Sequence, residues 1–194
     1  MSPYHISQGR TGSNAGTFIA LFMAKLFHVN SNAKANDGNG PTKDALWLGI
    51  LNIAIQAGNH IHNSITGGRP INFPVHKAIV HLNGSIGQTK IEETVDIGFI
   101  NENPLVPQSS LSFYLELLAN EPSSLAAIVI VNHMTICFVA RNEKLIILDS
   151  HLHFPHGAMV GVTSLETKEE FLSELKPKLS LPCNICSSAF VTFL

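Results

Sequence analysis

The second half of the chain contains three apolar segments that follow one another closely. Residues 126–131, 134–140 and 145–148 are rich in Ile, Val, Ala and Leu, which is the composition and length of buried strands. The connections at 132–133 and 141–143 are too short for a crossover between parallel strands, which needs roughly a dozen residues. These segments therefore predict an antiparallel meander.

Helical patterns precede this meander. At 8–27, polar and glycine-rich residues give way to apolar residues at helical spacing, with Ser13 or Asn14 as the expected N-cap. Further helices are predicted at 43–65, 76–82, 112–119 and 167–175, and further strands at 158–162 and 188–193. Helices followed by strands predict an α+β fold, with N-terminal helices packed on an antiparallel sheet. We expect one domain spanning 1–194.

An acid and a histidine follow the third strand, at Asp149 and His151. Residues i and i+2 of an extended chain point to the same side, so the carboxylate can orient the imidazole. An imidazole held in one tautomer by an acid is suited to act as a general base near neutral pH. The pattern therefore predicts a catalytic pair at the end of the strand, although an Asp in this place is also common in ordinary turns.

A general base needs a nucleophile, and the start of the first helix is the expected place. A helix N-terminus lowers the pKa of a thiol, and the side-chain amide of Gln8 is placed to donate to an oxyanion. However, residues 13–17 read Ser-Asn-Ala-Gly-Thr, and the cysteines lie elsewhere, at Cys137, Cys183 and Cys186. Ser13 is the alternative nucleophile, but it stands where a helix cap is expected.

The order of these motifs resembles papain-like deubiquitinases of the herpesvirus tegument and tegument-like type. The resemblance is carried by Gln8, the run at 13–21 and the motif Asp149-Ser150-His151. It implies a papain-like cysteine protease fold and a Cys-His-Asp triad. In that triad His151 is the base, Asp149 orients it, and Gln8 lines the oxyanion hole. The implied partner is ubiquitin or a ubiquitin-like modifier.

The nucleophile of that family is replaced in this chain. The family pattern Asn-Ala-Cys-Thr places the cysteine at Gly16, and the pattern Asn-Cys-Gly-Thr places it at Ala15. The replacement fits either a deliberate substitution that traps a substrate or a natural, inactive paralogue. Two functions follow: a ubiquitin-specific cysteine isopeptidase shown without its nucleophile, or a pseudo-protease that binds the modifier without turnover.

A second histidine competes with His151 for the role of base. His133 opens one strand and precedes Asp149 by 16 residues, and a histidine before the acid is the order of many other papain-like enzymes. No metal site or cofactor is predicted, because Cys183 and Cys186 form a lone CxxC and a structural zinc site needs four ligands.

Composition limits the partners and the setting. The chain has 194 residues, of which 45% are hydrophobic and 13% charged, with a net charge of −2 and without a basic run. Nucleic acid is not expected, since phosphate binding needs clustered Lys and Arg. No signal peptide or membrane span is expected either. An odd number of cysteines favours a reducing, cytoplasmic setting, and we expect a monomer.

Overall fold

An antiparallel sheet forms the centre of the structure, a computed structural model that describes residues 14–33, 43–82, 84–103, 105–121, 124–153, 157–179 and 184–194. In these residues six strands pair in the order β1-β6-β2-β3-β4-β5, and every neighbouring pair is antiparallel. The strands are β1 (Thr89–Gly98), β2 (Leu125–Val131), β3 (Met134–Arg141), β4 (Lys144–His153), β5 (Gly157–Ser164) and β6 (Ile185–Phe193). The predicted meander is confirmed as β2-β3-β4, and β5 continues it by one more antiparallel strand.

The helices lie on both faces of the sheet. They are α1 (Gly16–Ala33), α2 (Lys43–Thr66), α3 (Val75–Leu82), α4 (Leu111–Asn120) and α5 (Lys168–Lys178). The N-terminal helices α1 to α3 pack on one face, as predicted. Helices α4 and α5 cover the opposite face, which the sequence pattern did not specify. None of the described helices is long and apolar enough to cross a bilayer.

Burial on both faces explains why the meander strands read as continuous apolar runs. In β4, Ile146 and Leu148 belong to the core beneath α1 and α2, whereas Leu145 and Ile147 belong to the core beneath α4 and α5. A strand with one solvated face would alternate apolar and polar residues. The apolar run at 145–148 is therefore the sequence mark of a strand between two layers of helices.

The two tight hairpins turn through residues with positive φ. Asn132 and His133 have φ of 46° and 63°, and Asn142 and Glu143 have φ of 50° and 60°. Positive φ at both central residues is the geometry of a type I′ turn, which matches the twist of the flanking strands. The turn predicted at 141–143 therefore narrows to two residues, because Arg141 still belongs to β3.

Strand β1 was not predicted. Its sequence, TKIEETVDIG, mixes charged and apolar residues, and most of its side chains are exposed or half-buried. It lies at an edge of the sheet and pairs with β6 alone among the described strands. An edge strand needs no continuous apolar face, so the hydrophobic pattern gave no signal for it.

The first two helices approach each other closely at Gly58 of α2. A Cβ atom built on Gly58 would lie 2.8 Å from the backbone nitrogen of Ile19 and 2.9 Å from its Cα. Contacts this short with backbone atoms cannot be relieved by a side-chain rotation. Gly58 therefore sets the distance between α2 and the N-terminal half of α1.

Alanine substitutions at two glycines of α2 test this constraint. Gly58→Ala should lower the free energy of unfolding by about 1–3 kcal/mol, because the helices must separate. Gly49→Ala should raise it by about 0.5–1 kcal/mol, because nothing lies within 4 Å of the added Cβ and alanine favours the helix. Urea unfolding measures both values, and equal effects of the two substitutions would contradict the close approach.

Candidate active site

Asp149 and His151 form a hydrogen-bonded pair in β4. The Nδ1 atom of His151 lies 2.5 Å from Oδ1 of Asp149, and the backbone N–H of His151 donates to the same oxygen at 2.9 Å. Asp149 is fully buried and His151 is 7% exposed. Because an ionised carboxylate only accepts hydrogen bonds, Nδ1 carries the ring proton, and Nε2 is the nitrogen that can accept another.

The pair lies within β4 and not beyond its end. The sequence pattern ended this strand at residue 148, but the strand continues to His153. The pairing of β4 with β5 is irregular between Asp149 and His153, where the partner residues are Met159 and Gly157. Three residues of β4 thus oppose one residue of β5, and such bulges re-aim side chains near functional sites.

The irregularity accounts for the direction of His151. Strict alternation would place residue 151 on the face of Leu145 and Ile147, which is covered by α4 and α5. Instead, His151 lines a cleft together with Gly16 and Thr17 of α1, which packs on the other face. The bulge therefore brings the imidazole to the N-terminus of α1.

The start of α1 differs from the prediction in one respect. The helix begins at Gly16, and the carbonyl of Ala15 accepts the first helical hydrogen bond, from the N–H of Ile19 at 3.0 Å. Ala15 is thus the N-cap, so the expected cap Asn14 was wrong, and the alternative cap Ser13 lies outside the described residues. Asn14 instead donates from Nδ2 to Oδ1 of Asn72 at 2.5 Å.

A cleft of about 370 Å³ opens beside this helix start. It is lined by residues from α1, from the segment before α3, and from β2, β3 and β4: Asn14, Gly16, Thr17, Asn72, Phe73, Pro74, Ile130, His133, Thr135 and His151. The structure therefore brings two of the predicted site positions, Gly16 and His151, to one cavity. The lining at 72–74 was missed, because its contacts with α1 join residues more than 50 positions apart and have no local sequence signal.

The two candidate nucleophile positions differ in their access to the cleft. Ala15 is fully buried and belongs to the hydrophobic core. Gly16 is partly exposed and lines the cleft. A side chain at position 16 would therefore enter the same space as His151, whereas one at position 15 would enter the core.

Thr135 of β3 restricts the space at position 16. A Cβ atom built on Gly16 would lie 3.3 Å from Oγ1 of Thr135 and 3.4 Å from its Cβ. The hydroxyl of Thr17 donates its single hydrogen to the carbonyl of Phe73 at 2.8 Å. In the 3.4 Å contact between the hydroxyls of Thr17 and Thr135, the donor is therefore Thr135. A larger residue at position 16 requires Thr135 to move by a few tenths of an ångström.

The remaining predicted residues lie around or outside the cleft. His133 lines it from the turn between β2 and β3, where it is exposed. Gln8 and Ser13 lie outside the described residues, so their positions relative to the cleft stay predictions. His133 and His151 both line the cleft. Of these two histidines, His151 is the one that is hydrogen-bonded to Asp149.

The described cysteines do not supply a nucleophile here. Cys137 and Cys186 are buried and do not line the cleft, and burial raises the pKa of Cys137 far above the ordinary thiol value. Cys183 lies outside the described residues. No group of three or more His, Cys, Asp or Glu side chains within the described ranges could hold a metal ion.

The arrangement of helices and sheet is similar to that of two solved structures. One is the ubiquitin-specific protease encoded by a murine cytomegalovirus tegument protein, in complex with a ubiquitin-based suicide substrate. Its TM-score is 0.61 at 12% sequence identity, over 98% of this chain and 81% of that chain. The other is the Pseudomonas avirulence protein AvrPphB, with a TM-score of 0.53 at 10% identity, over 99% and 95% of the two chains.

These similarities identify the class of fold. No protein-family model matches the chain, and no curated protein matches it significantly in sequence. At identities near 10% the likeness concerns the fold alone. The predicted papain-like cysteine protease fold, with helices packed on an antiparallel sheet, is confirmed.

Proposed function

We propose that this chain is a papain-like domain of the deubiquitinase type that has kept its base and orienting acid and lacks its thiol. The observation that carries the proposal is the Asp149–His151 hydrogen bond, which holds the imidazole in the cleft that Gly16 also lines. The proposed ligand is the C-terminal tail of ubiquitin or of a ubiquitin-like modifier. The fold similarity to a viral ubiquitin-specific protease supports this choice.

A cysteine at position 16 would complete a site for acyl transfer. His151 would take the thiol proton on Nε2, and the thiolate would attack the carbonyl carbon of the modifier's terminal glycine to form a C–S bond. The C–N bond would then break as His151 returns its proton to the leaving amine, and water would hydrolyse the thioester. N–H groups of the first turn of α1, together with the amide of Gln8, are the proposed donors to the oxyanion.

The second candidate function is a natural pseudo-protease that binds the modifier without turnover. The position of Thr135 favours the pseudo-protease function, because the hydroxyl oxygen of Thr135 lies 3.3 Å from where a Cβ atom at position 16 would stand. A chain that had lost its cysteine only by a recent substitution would keep room for that atom. Under this function the cleft serves for binding, and the Asp149–His151 pair keeps the shape of its wall.

Cysteine substitutions at the two candidate positions test the proposed site. Gly16→Cys should react with a ubiquitin probe that carries a C-terminal electrophile, because its side chain enters the cleft. Ala15→Cys should stay unlabelled, because that side chain is buried. In the Gly16→Cys background, His151→Ala should slow labelling by about 10²–10⁴-fold through loss of the base. Labelling rates by intact-protein mass spectrometry measure these differences.

Two further variants separate the alternatives. If His133→Ala abolishes labelling of the Gly16→Cys protein and His151→Ala leaves it, His133 is the base and the proposed assignment is wrong. If Gly16→Cys labels only when combined with Thr135→Ala, the site is adapted to glycine and the pseudo-protease function is favoured. Labelling of Ala15→Cys but not of Gly16→Cys would contradict the assignment of position 16.

The unmodified chain should bind the modifier in both candidate functions. The absence of a nucleophile leaves the ground-state contacts of the tail in place, so titration calorimetry with ubiquitin should detect binding. The affinity should change little between low and moderate ionic strength, since only 13% of the residues are charged and the net charge is −2. Ubiquitin that lacks its two C-terminal glycines is the matched control and should bind at least about tenfold more weakly. Equal binding of both forms would contradict a tail-binding cleft.

A further inference from the structure

A second cavity lies on the face of the sheet opposite α1. This groove has a volume of about 450 Å³, which is within the usual range of ligand sites. It runs between α4 and the paired strands β1 and β6, and it shares no lining residue with the cleft that contains His151. Apolar side chains form its floor, among them Leu118, Leu125 and Phe190.

Three glutamates line the same groove: Glu92 and Glu93 of β1, and Glu121 at the end of α4. Neighbouring residues of a regular strand point to opposite faces, so two consecutive glutamates would not share one groove. The pairing of β1 with β6 shifts between Ile91 and Glu93, which makes Glu92 the extra residue of a bulge. The bulge thus directs both carboxylates to the groove.

Two of these carboxylates have no cationic partner in the described part of the chain. Glu92 binds Lys90 at 2.6 Å and accepts a hydrogen bond from Thr192 at 2.9 Å. Glu93 and Glu121 form no ion pair with a described residue. The groove therefore carries negative charge that the described residues do not neutralise.

Two aromatic rings line the same groove. The ring of Tyr114 stacks on Phe190, with centroids 5.3 Å apart and an interplanar angle of 25°. Burial, and then the charge of Glu93, raise the pKa of Tyr114, so the phenol stays neutral and lies near that carboxylate. A flat guanidinium can stack on such a ring while a carboxylate receives its N–H donors. Leu117, 47% exposed, extends the apolar surface at the rim.

We propose that this groove binds a segment of a partner protein in which an arginine stands next to an apolar side chain. The free carboxylates of Glu93 and Glu121 would bind the guanidinium, Tyr114 would offer its ring for stacking, and the leucines would receive the apolar neighbour. Arginine fits better than lysine because its planar head can stack and form paired hydrogen bonds at the same time. The groove is thus a binding site separate from the proposed catalytic cleft.

Titration with a short peptide tests this site directly. The probe is an acetylated and amidated peptide, Ala-Arg-Leu-Arg-Ala, and its control replaces both arginines with citrulline, which has nearly the same shape without the charge. Two-dimensional amide NMR of the full chain should show shifts around Tyr114 and Leu117. The arginine peptide should bind at least about fivefold more tightly than the citrulline peptide at low salt.

Matched charge variants complete the test. Glu93→Gln/Glu121→Gln should abolish the preference for arginine over citrulline, while Glu166→Gln/Glu174→Gln, which changes two exposed glutamates outside the groove, should retain it. Equal binding of the two peptides, equal loss in both double variants, or shifts confined to the cleft of His151 would each overturn the proposal.

Discussion

The packing of α1 between the sheet and α2 determines where the candidate site can form. The side chains of Phe18, Ile19, Leu21 and Met23 are fully buried, so this helix has contacts on nearly all sides. Gly58 sets its distance from α2, and Gly16 places its first residue against Thr135 of β3. A helix held on two sides keeps its N-terminus at a fixed place over the sheet. The distance between position 16 and His151, on which the proposed chemistry depends, is set by this position of the helix N-terminus.

The site also requires that the imidazole of His151 reach the N-terminus of α1, and an irregularity in the sheet allows this. The bulge in β4 allows Asp149 to stay buried and bind His151, while the imidazole reaches the cleft. A buried carboxylate without a partner would be costly, and the two hydrogen bonds from His151 satisfy one of its oxygens. A second bulge, in β1, directs Glu92 and Glu93 into the groove on the other face. In both places the extra residues of a bulge, two in β4 and one in β1, point side chains where regular alternation would not.

Much of this architecture could be predicted from the sequence, because its signals are local. The apolar runs and short turns of the meander specify antiparallel pairing, and the predicted helix at 43–65 is found as Lys43–Thr66. The bond between Asp149 and His151 was also predicted, from the i, i+2 relation of a regular strand, but it forms here in a bulge where that alternation is broken. Position 16 could not be separated from position 15 by pattern alone. That distinction depends on the burial of Ala15 in a core built from distant segments.

Other features had no local signal at all. Strand β1 lacks an apolar run because it lies at an edge of the sheet. Thr135 restricts the space at position 16 only because β3 packs against α1. The side chain of Asn14, expected to cap α1, is instead hydrogen-bonded to Asn72. A capping side chain is the default at a helix N-terminus, but a tertiary partner distant in sequence can engage that side chain instead.

The central claim is that position 16 and the Asp149–His151 pair belong to one site suited to a thiol. The most direct measurement is the pH dependence of iodoacetamide alkylation of the Gly16→Cys protein, which requires no knowledge of the ligand. The helix N-terminus and the neighbouring imidazole of His151, which can take up the thiol proton, should place the midpoint of this profile below about 7.5, against about 8.5 for an ordinary cysteine. Adding His151→Ala should return the midpoint toward the ordinary value. A thiol with an ordinary midpoint that does not respond to His151→Ala would contradict the account.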